Sequence, residues 1–220
     1  MKKYLYALKS CPLFADITDD NISAMTNCLD MRVKKYSKGE YIYNSGDYLK
    51  SVSIVAEGSL FLQKDDLFGN RTIVRKLNVG DIFGEAYAVQ NDEPLLNDVT
   101  ANEDSVILSF QMSKILSQCN NVCEFHAKLI ENLIRSISEK NRILTKRMDC
   151  ISKRSTRDKL LTYLMSESEI NQSREFTIPL NRKQLADFLS VDRSAMSNEL
   201  CKMRDEGLLE FNRCHFKLLL

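Results

Sequence analysis

Six of the chain's seven glycines lie between Gly39 and Gly84, and the seventh is Gly207. So uneven a distribution confines tight turns to one region and constrains the fold more than any other feature. Within that window YIYN, SVSIVA, SLFLQ and TIVRKL are short runs of β-branched and aromatic residues. Turn residues part them at Gly39, Gly46-Asp47, Gly58, Gly69-Asn70 and Gly80-Asp81. Short strands at regular spacing with turn signals predict an antiparallel roll or barrel. NDVTA and SVILSF carry the strands on to about Phe110. Ahead of the roll, Asp19 or Asp20 can cap a short helix in which Ile22, Met25 and Leu29 fall at helical spacing.

Beyond Phe110 the period changes. From Cys123 to Ile151 there is neither glycine nor proline. Cys123, Ile130, Ile137, Leu144 and Ile151 recur at one heptad position; Ala127, Ile134, Asn141 and Met148 recur at the other. This is the pattern of a two-stranded coiled coil, and an amide such as Asn141 in the seam favours a paired, in-register dimer. A second stripe, Val122, Phe125, Leu129 and Leu133, faces elsewhere and suits packing on the roll. A long core helix inside a monomer is the competing reading.

The polar run SKRST, Ser152 to Thr156, breaks the pattern as a hinge, and Ser155 or Thr156 can cap the next helix, which carries Leu160, Leu161, Leu164 and Met165. The densest signal follows, in LNRKQLADFLSVDRSAMSNELCKMRDEGLLEF, residues 180 to 211. Asn181 caps a helix holding Leu185, Ala186 and Leu189; Ser190-Val191 turns the chain; Asp192 caps a second helix with Met196, Leu200 and Met203 inward. Small Ala186 lets the two helices cross closely. This is helix-turn-helix geometry, in which the second helix enters the major groove.

The outward residues of that helix are Arg193, Ser194, Ser197, Asn198 and Lys202. Arginine pairs bidentately with guanine and asparagine with adenine, and serine hydroxyls reach base edges or phosphates. Asn181 and Arg182 open the first helix, where a phosphate meets free N–H groups and the positive end of a dipole. Gly207 ends the second helix, and LLEF with NRCHFKLLL reads as a wing offering Arg213 and Lys217 to phosphates. A solvated helical hairpin is the bland alternative.

Charge neither adds to this nor opposes it: 31 Lys+Arg against 30 Asp+Glu leave +1. No stretch approaches the roughly 18 apolar residues that span a bilayer, which points to a cytoplasmic protein without a membrane partner. Seven cysteines at irregular spacing suit reduced thiols better than a disulfide framework. A roll-shaped metalloenzyme would need histidines on its strands, and residues 30 to 110 contain none. An enzyme is not expected.

A glycine-punctuated roll, a dimer helix and RKQLADFLSVDRSAMSNELCKMRDEGLL together resemble the Crp/Fnr superfamily of bacterial transcription regulators over essentially the whole chain. The resemblance implies an α+β fold: an N-terminal antiparallel β-roll of the double-stranded β-helix or jelly-roll type, a long dimerisation helix and a C-terminal winged helix-turn-helix. The expected division is a cyclic-nucleotide-binding-like sensor at 1–120, dimerisation helix and hinge at 121–152, and DNA-binding domain at 153–220. It implies a homodimer on a palindromic operator of double-stranded DNA, with RNA polymerase as partner. The seam would use Cys123, Ile130, Ile134, Ile137, Asn141, Leu144 and Met148. Two departures stand out: Ser190 occupies a turn position where glycine is usual, and Glu199 a position often apolar. Arg193 matches a base-reading arginine of the cyclic-AMP-binding members, whereas Ser194 and Asn198 replace a glutamate and an arginine, which implies a different operator.

In cyclic-nucleotide-binding members a Gly-Glu pair opens a cassette that carries Arg-Ser about ten residues on. Here Gly84 and Glu85 match, but Leu95 and Leu96 hold the Arg-Ser places. A buried phosphate without its cation costs several kcal/mol, which disfavours a cyclic nucleotide. Arg71 and Arg75 lie on a neighbouring hairpin and could substitute for that cation. Pro94-Leu95-Leu96 suggests instead an apolar-lined pocket for an unknown small effector, or a roll plugged by its own leucines. Iron–sulfur chemistry is disfavoured because Cys11 and Cys28 stand alone, and haem because His126 and His215 are the only histidines. Cys119, Cys123 and Cys150 are the candidates for a thiol switch. The sequence therefore predicts a regulator whose roll answers an unknown effector, with control by a protein partner or by cysteine redox state as the alternative.

Overall fold

Strands form where the glycine-bounded runs place them. The computed structural model describes residues 2–65, 71–90, 92–117 and 124–219, excluding the side chains at 2, 27, 65, 71 and 124. The Gly69-Asn70 turn, the Arg71 side chain, and Cys119, Val122 and Cys123 lie outside the described residues. Contacts divide the chain into two compact units, Met1–Ser138 and Glu139–Leu220.

In the first unit helices α1 (Leu5–Ser10) and α2 (Asp19–Cys28) precede strands β1 (Arg32–Tyr36), β2 (Tyr41–Tyr43), β3 (Ser51–Glu57), β4 (Leu60–Asp65), β5 (Arg71–Leu77) and β6 (Ile82–Phe83). Helix α3 (Glu85–Gln90), strands β7 (Asp98–Ala101) and β8 (Ser105–Gln111), and helix α4 (Met112–Leu116) follow. The strands pair antiparallel in two sheets, β1-β8-β3-β6 and β2-β7-β4-β5. Val55 and Ile107 of one sheet meet Leu60, Val99 and Ala101 of the other. On the opposite face of β3, Val52 and Ile54 pack with Leu8, Phe14 and Ile22, and with Leu129 and Leu133 of the long helix α5 (Glu124–Ile151). A strand covered on both sides reads as a nearly unbroken apolar run, as SVSIVA does.

Two details tie sequence to turn. Gly58 has φ +77°, and a Cβ there would stand 2.6 Å from the Asp104 carbonyl oxygen, so only glycine fits. Helix α2 begins at Asp19, so Asp19 and Asp20 lie in its first turn rather than at its cap. Their charges still complement the helix dipole there. The stripe expected to pack on the roll does so at Leu129 and Leu133, with Phe125 partly buried beside them. Asn132 on the same helix donates to the Leu13 and Ala15 carbonyls at 3.2 and 2.8 Å.

The second unit comprises the tail of α5, helix α6 (Thr156–Asn171), strand β9 (Glu175–Thr177), helices α7 (Arg182–Leu189) and α8 (Arg193–Asp205), and strands β10 (Leu209–Asn212) and β11 (His215–Leu218). Ser155 caps α6 by accepting from the Asp158 N–H at 3.0 Å. The wing is a three-stranded sheet, β10-β11-β9, rather than the expected hairpin alone. Leu160, Leu164, Leu185, Met196, Leu200 and Phe216 share one core. Lys146 on α5 meets Glu167 on α6 at 2.7 Å, with both side chains largely buried. Cys150 lies in the same core, where burial pushes its thiol pKa up.

Candidate nucleic-acid interface

The site is built on two capped helices. Asn181 Oδ1 accepts from the Gln184 N–H at 3.0 Å, and Gln184 Oε1 accepts from the Asn181 N–H at 2.9 Å, a closed capping box. Asp192 Oδ1 accepts from the Ala195 N–H at 2.8 Å and starts α8. Each cap satisfies a backbone donor that a helix start leaves without a partner, and typically stabilises by about 1 kcal/mol. Between the helices Ser190 takes the left-handed conformation, φ 51°, and the Val191 N–H closes back onto the Ala186 carbonyl at 3.1 Å. A non-glycine residue there costs about 1 kcal/mol.

That turn is braced from a distance. Arg147 donates to the Phe188 and Asp187 carbonyls at 3.1 and 3.2 Å, and Lys159 Nζ reaches the Leu189 carbonyl at 3.3 Å. Cations at a helix C-terminus satisfy its last carbonyls and oppose its dipole. Sequence reasoning missed both residues, since they stand 30 to 41 positions away from the carbonyls they bind. The unusual Glu199 has a similar explanation. Its side chain is 18% exposed and lies 3.7 Å from Arg157 on α6, which also pairs with Glu206. Hydrogen bonds from Arg157 hold the Glu206 carboxyl below the usual carboxylate range.

With Met196, Leu200 and Met203 fully buried, α8 turns the opposite face outward. Arg193, Ser194, Asn198 and Lys202 are exposed, and Ser197 is half-buried. Among the described residues the Arg193 side chain has no hydrogen-bond or ion-pair partner, whereas Arg204 on the same helix is engaged by Asp205 at 2.9 Å. Lys202 lies 3.8 Å from Glu199. The Ser197 hydroxyl donates to the Arg193 carbonyl at 2.9 Å, which leaves it an acceptor toward solvent. Arg213 stands exposed at the wing tip with φ 52°. Lys217 of β11 pairs loosely with Glu210 at 3.7 Å.

Arg182 departs from expectation. Its two terminal nitrogens are buried without a hydrogen-bond partner, and burial holds its pKa below the ordinary arginine value. The guanidinium lies 4.8 Å from the Phe211 ring centroid and 5.0 Å from that of Phe216. Two aromatic rings of the wing offer it π faces, and the guanidinium turns inward onto them.

The residues expected around an effector in the roll differ in exposure. Gly84 sits at the β6–α3 junction with φ +80°, and Glu85 opens α3 largely buried. Leu95 is 5% exposed and belongs to the core, while Leu96 is 65% exposed. The chain bends at Leu96 and Asn97, ahead of β7, and the two leucines take different environments. Arg75 pairs with Asp81 at 3.7 Å, with half of its side chain exposed. His126 is buried, its Nε2 2.9 Å from the Ile115 carbonyl.

On α5, Ile134, Ile137, Leu144, Met148 and Ile151 expose between 38% and 66% of their surface, Asn141 is also exposed, and Ile130 is half-buried. Among the described residues no helix is long and apolar enough to cross a membrane.

An antiparallel roll, a long helix and a winged helix-turn-helix with an exposed polar recognition face define a DNA-binding transcription regulator. Comparison with known proteins agrees for both parts. The profile of the cyclic nucleotide-binding domain matches residues 33–121, and that of the Crp-like helix-turn-helix domain matches residues 158–219. The cyclic AMP receptor protein of Thermus thermophilus is 21% identical over 202 residues, covering 92% of this chain and 89% of its own. The transcriptional activator protein FnrL of Cereibacter sphaeroides is 20% identical over 185 residues, covering 80% and 71%. The crystal structure of the Thermus thermophilus catabolite activator protein superposes with a TM-score of 0.56 at 19% identity, covering 94% of this chain and 93% of that one. This chain belongs to the Crp/Fnr family of transcription regulators.

Proposed function

We propose that the chain acts as a homodimer on a palindromic operator, with α8 of each protomer in a major groove. Arg193 takes a guanine edge, Asn198 an adenine edge, and Ser194, Ser197 and Lys202 complete the reading face. Asn181 and Arg213 meet the flanking backbone. Residues 1–120 are the sensor, 121–152 the dimer helix and hinge, and 153–220 the DNA-binding domain. RNA polymerase is the partner of the bound dimer.

The observation that carries this reading is Arg193, an exposed cation without a protein partner in the first turn of a capped helix. The apolar stripe from Ile134 to Ile151, open on α5, supports pairing of two chains through that helix. Leu95 in the core, at the place where cyclic-nucleotide binders carry their arginine, supports an effector other than a cyclic nucleotide. It equally favours a second reading, in which the roll takes no small molecule and answers a protein partner or thiol chemistry instead. Selection from a pool of randomised duplexes tests the operator. The expected product is an inverted repeat with half-site centres about one helical turn apart. Recovery of no enriched sequence would overturn the reading.

A further inference from the structure

Arg182 is the least comfortable charge in the DNA-binding unit. Two of its nitrogens are buried with no acceptor, a condition that ordinarily costs a protein stability. What surrounds it is aromatic. Phe211 and Phe216 are cross-strand partners in the β10–β11 register, with ring centroids 6.1 Å apart, and the Arg182 guanidinium rests within 5.0 Å of both. Phe216 in turn stacks on Phe176 of β9 at 6.4 Å.

Strands β10 and β11 are four residues each, and β9 pairs with β11 only, which leaves β10 and its Phe211 at one edge of the sheet. Arg182 touches the rings of both hairpin strands from the first residue of α7, which the capping box fixes.

We propose that Arg182 is a positioning residue: it docks the wing against the start of α7, and so sets where Arg213 and Lys217 meet the DNA backbone, without itself touching a phosphate. The proposal rests on the reading of α8 and the wing as the DNA surface. It assigns the work of this arginine to filling the slot between the two rings rather than to charge delivered to DNA.

The two roles make opposite demands on substitution. Methionine fills a slot between aromatic rings but carries no charge. Lysine keeps the charge but concentrates it in a compact, strongly hydrated ammonium that a slot between two rings leaves unsolvated. The test measures binding of the full-length chain to a labelled duplex carrying the selected operator, across a range of salt, for R182A, R182M, R182K and R193A. Arg182→Ala should weaken binding on the order of tenfold, as loss of one well-formed contact does. Arg182→Met should restore affinity to within about twofold of wild type with an unchanged salt slope, whereas one lost phosphate contact lowers that slope by about 0.9. Arg182→Lys should stay as weak as the alanine variant.

Rescue by lysine, rescue by neither, or full affinity in the alanine variant overturns the proposal. Thermal melts keep a folding defect distinct: Arg182→Met should melt at or above wild type, because the buried unpartnered charge is gone, and a clearly lower melt would also count against it. Arg193→Ala separates the two levels. If it binds as tightly as wild type, the DNA surface itself is misassigned; if it fails while the Arg182 series departs from the pattern above, only this inference falls.

Discussion

The helix-turn-helix and the roll are both made of short elements over a buried core, yet they hold their functional residues differently. In the helix-turn-helix every proposed base-reading residue lies between Arg193 and Lys202, on one helix whose inward face is fixed by Met196, Leu200 and Met203. Spacing along the chain is then geometry in space. In the roll the cassette from Gly84 to Ala101 crosses from a helix through a turn to a strand, and its leucines part company, one to the core and one to solvent. A site on one helix survives translation from sequence to surface; a site assembled from several elements depends on packing that local spacing does not reveal.

The largest expected effect probes the roll. Leu95→Ala should destabilise the first unit by about 2–5 kcal/mol, the usual cost of emptying a core leucine. Leu96→Ala should change stability by less than about 0.5 kcal/mol, as exposed substitutions do. Urea denaturation of both variants checks this, and equal effects would erase the distinction between the two leucines.

A smaller effect belongs to the other unit. Asn181→Ala removes half of the capping box and should cost about 1 kcal/mol. It should weaken operator binding as well, since the same residue lies at the proposed phosphate contact. A stability loss without any binding loss would confine Asn181 to the cap. Smaller still is Ser190→Gly, which relieves a left-handed serine and should stabilise by about 0.5–1 kcal/mol in a thermal melt. Destabilisation instead would mean that the serine side chain contributes something glycine lacks.

A chemical test needs no variant. Cys150 is fully buried with its thiol pKa pushed up by desolvation, while Cys28 is exposed. Iodoacetamide at neutral pH should modify Cys28 well before Cys150, which it should reach only after denaturant is added. Early alkylation of Cys150 in the folded protein would revive it as a thiol switch.

Legibility followed the same divide. Both caps, the small Ala186, the turn at Ser190-Val191 and the inward stripe of α8 could be read from local spacing, because a helix repeats on a scale shorter than the motif. The strand order of the roll could not, since β1 pairs with β8 some 70 residues away. Strand β9 was missed: three residues, EFT, carry too little alternation to announce themselves. Arg182 was legible as a cation at a helix start but not as one turned inward, because Phe211 and Phe216 arrive from the wing. Arg147, Lys159 and Arg157 brace the motif across similar distances. Their roles become visible only when the carbonyls or carboxylates they meet are in place.

The proposed regulator stands or falls on whether α8 reads an operator through Arg193. Parallel selection from one pool of randomised duplexes, with wild-type protein and with Arg193→Ala, addresses it most directly. Wild type should enrich two inverted half-sites, and the variant should lose preference at one guanine in each while keeping salt-sensitive, non-specific binding. That loss should amount to about 1–3 kcal/mol of discrimination at the position. The same sequence enriched by both proteins would contradict it.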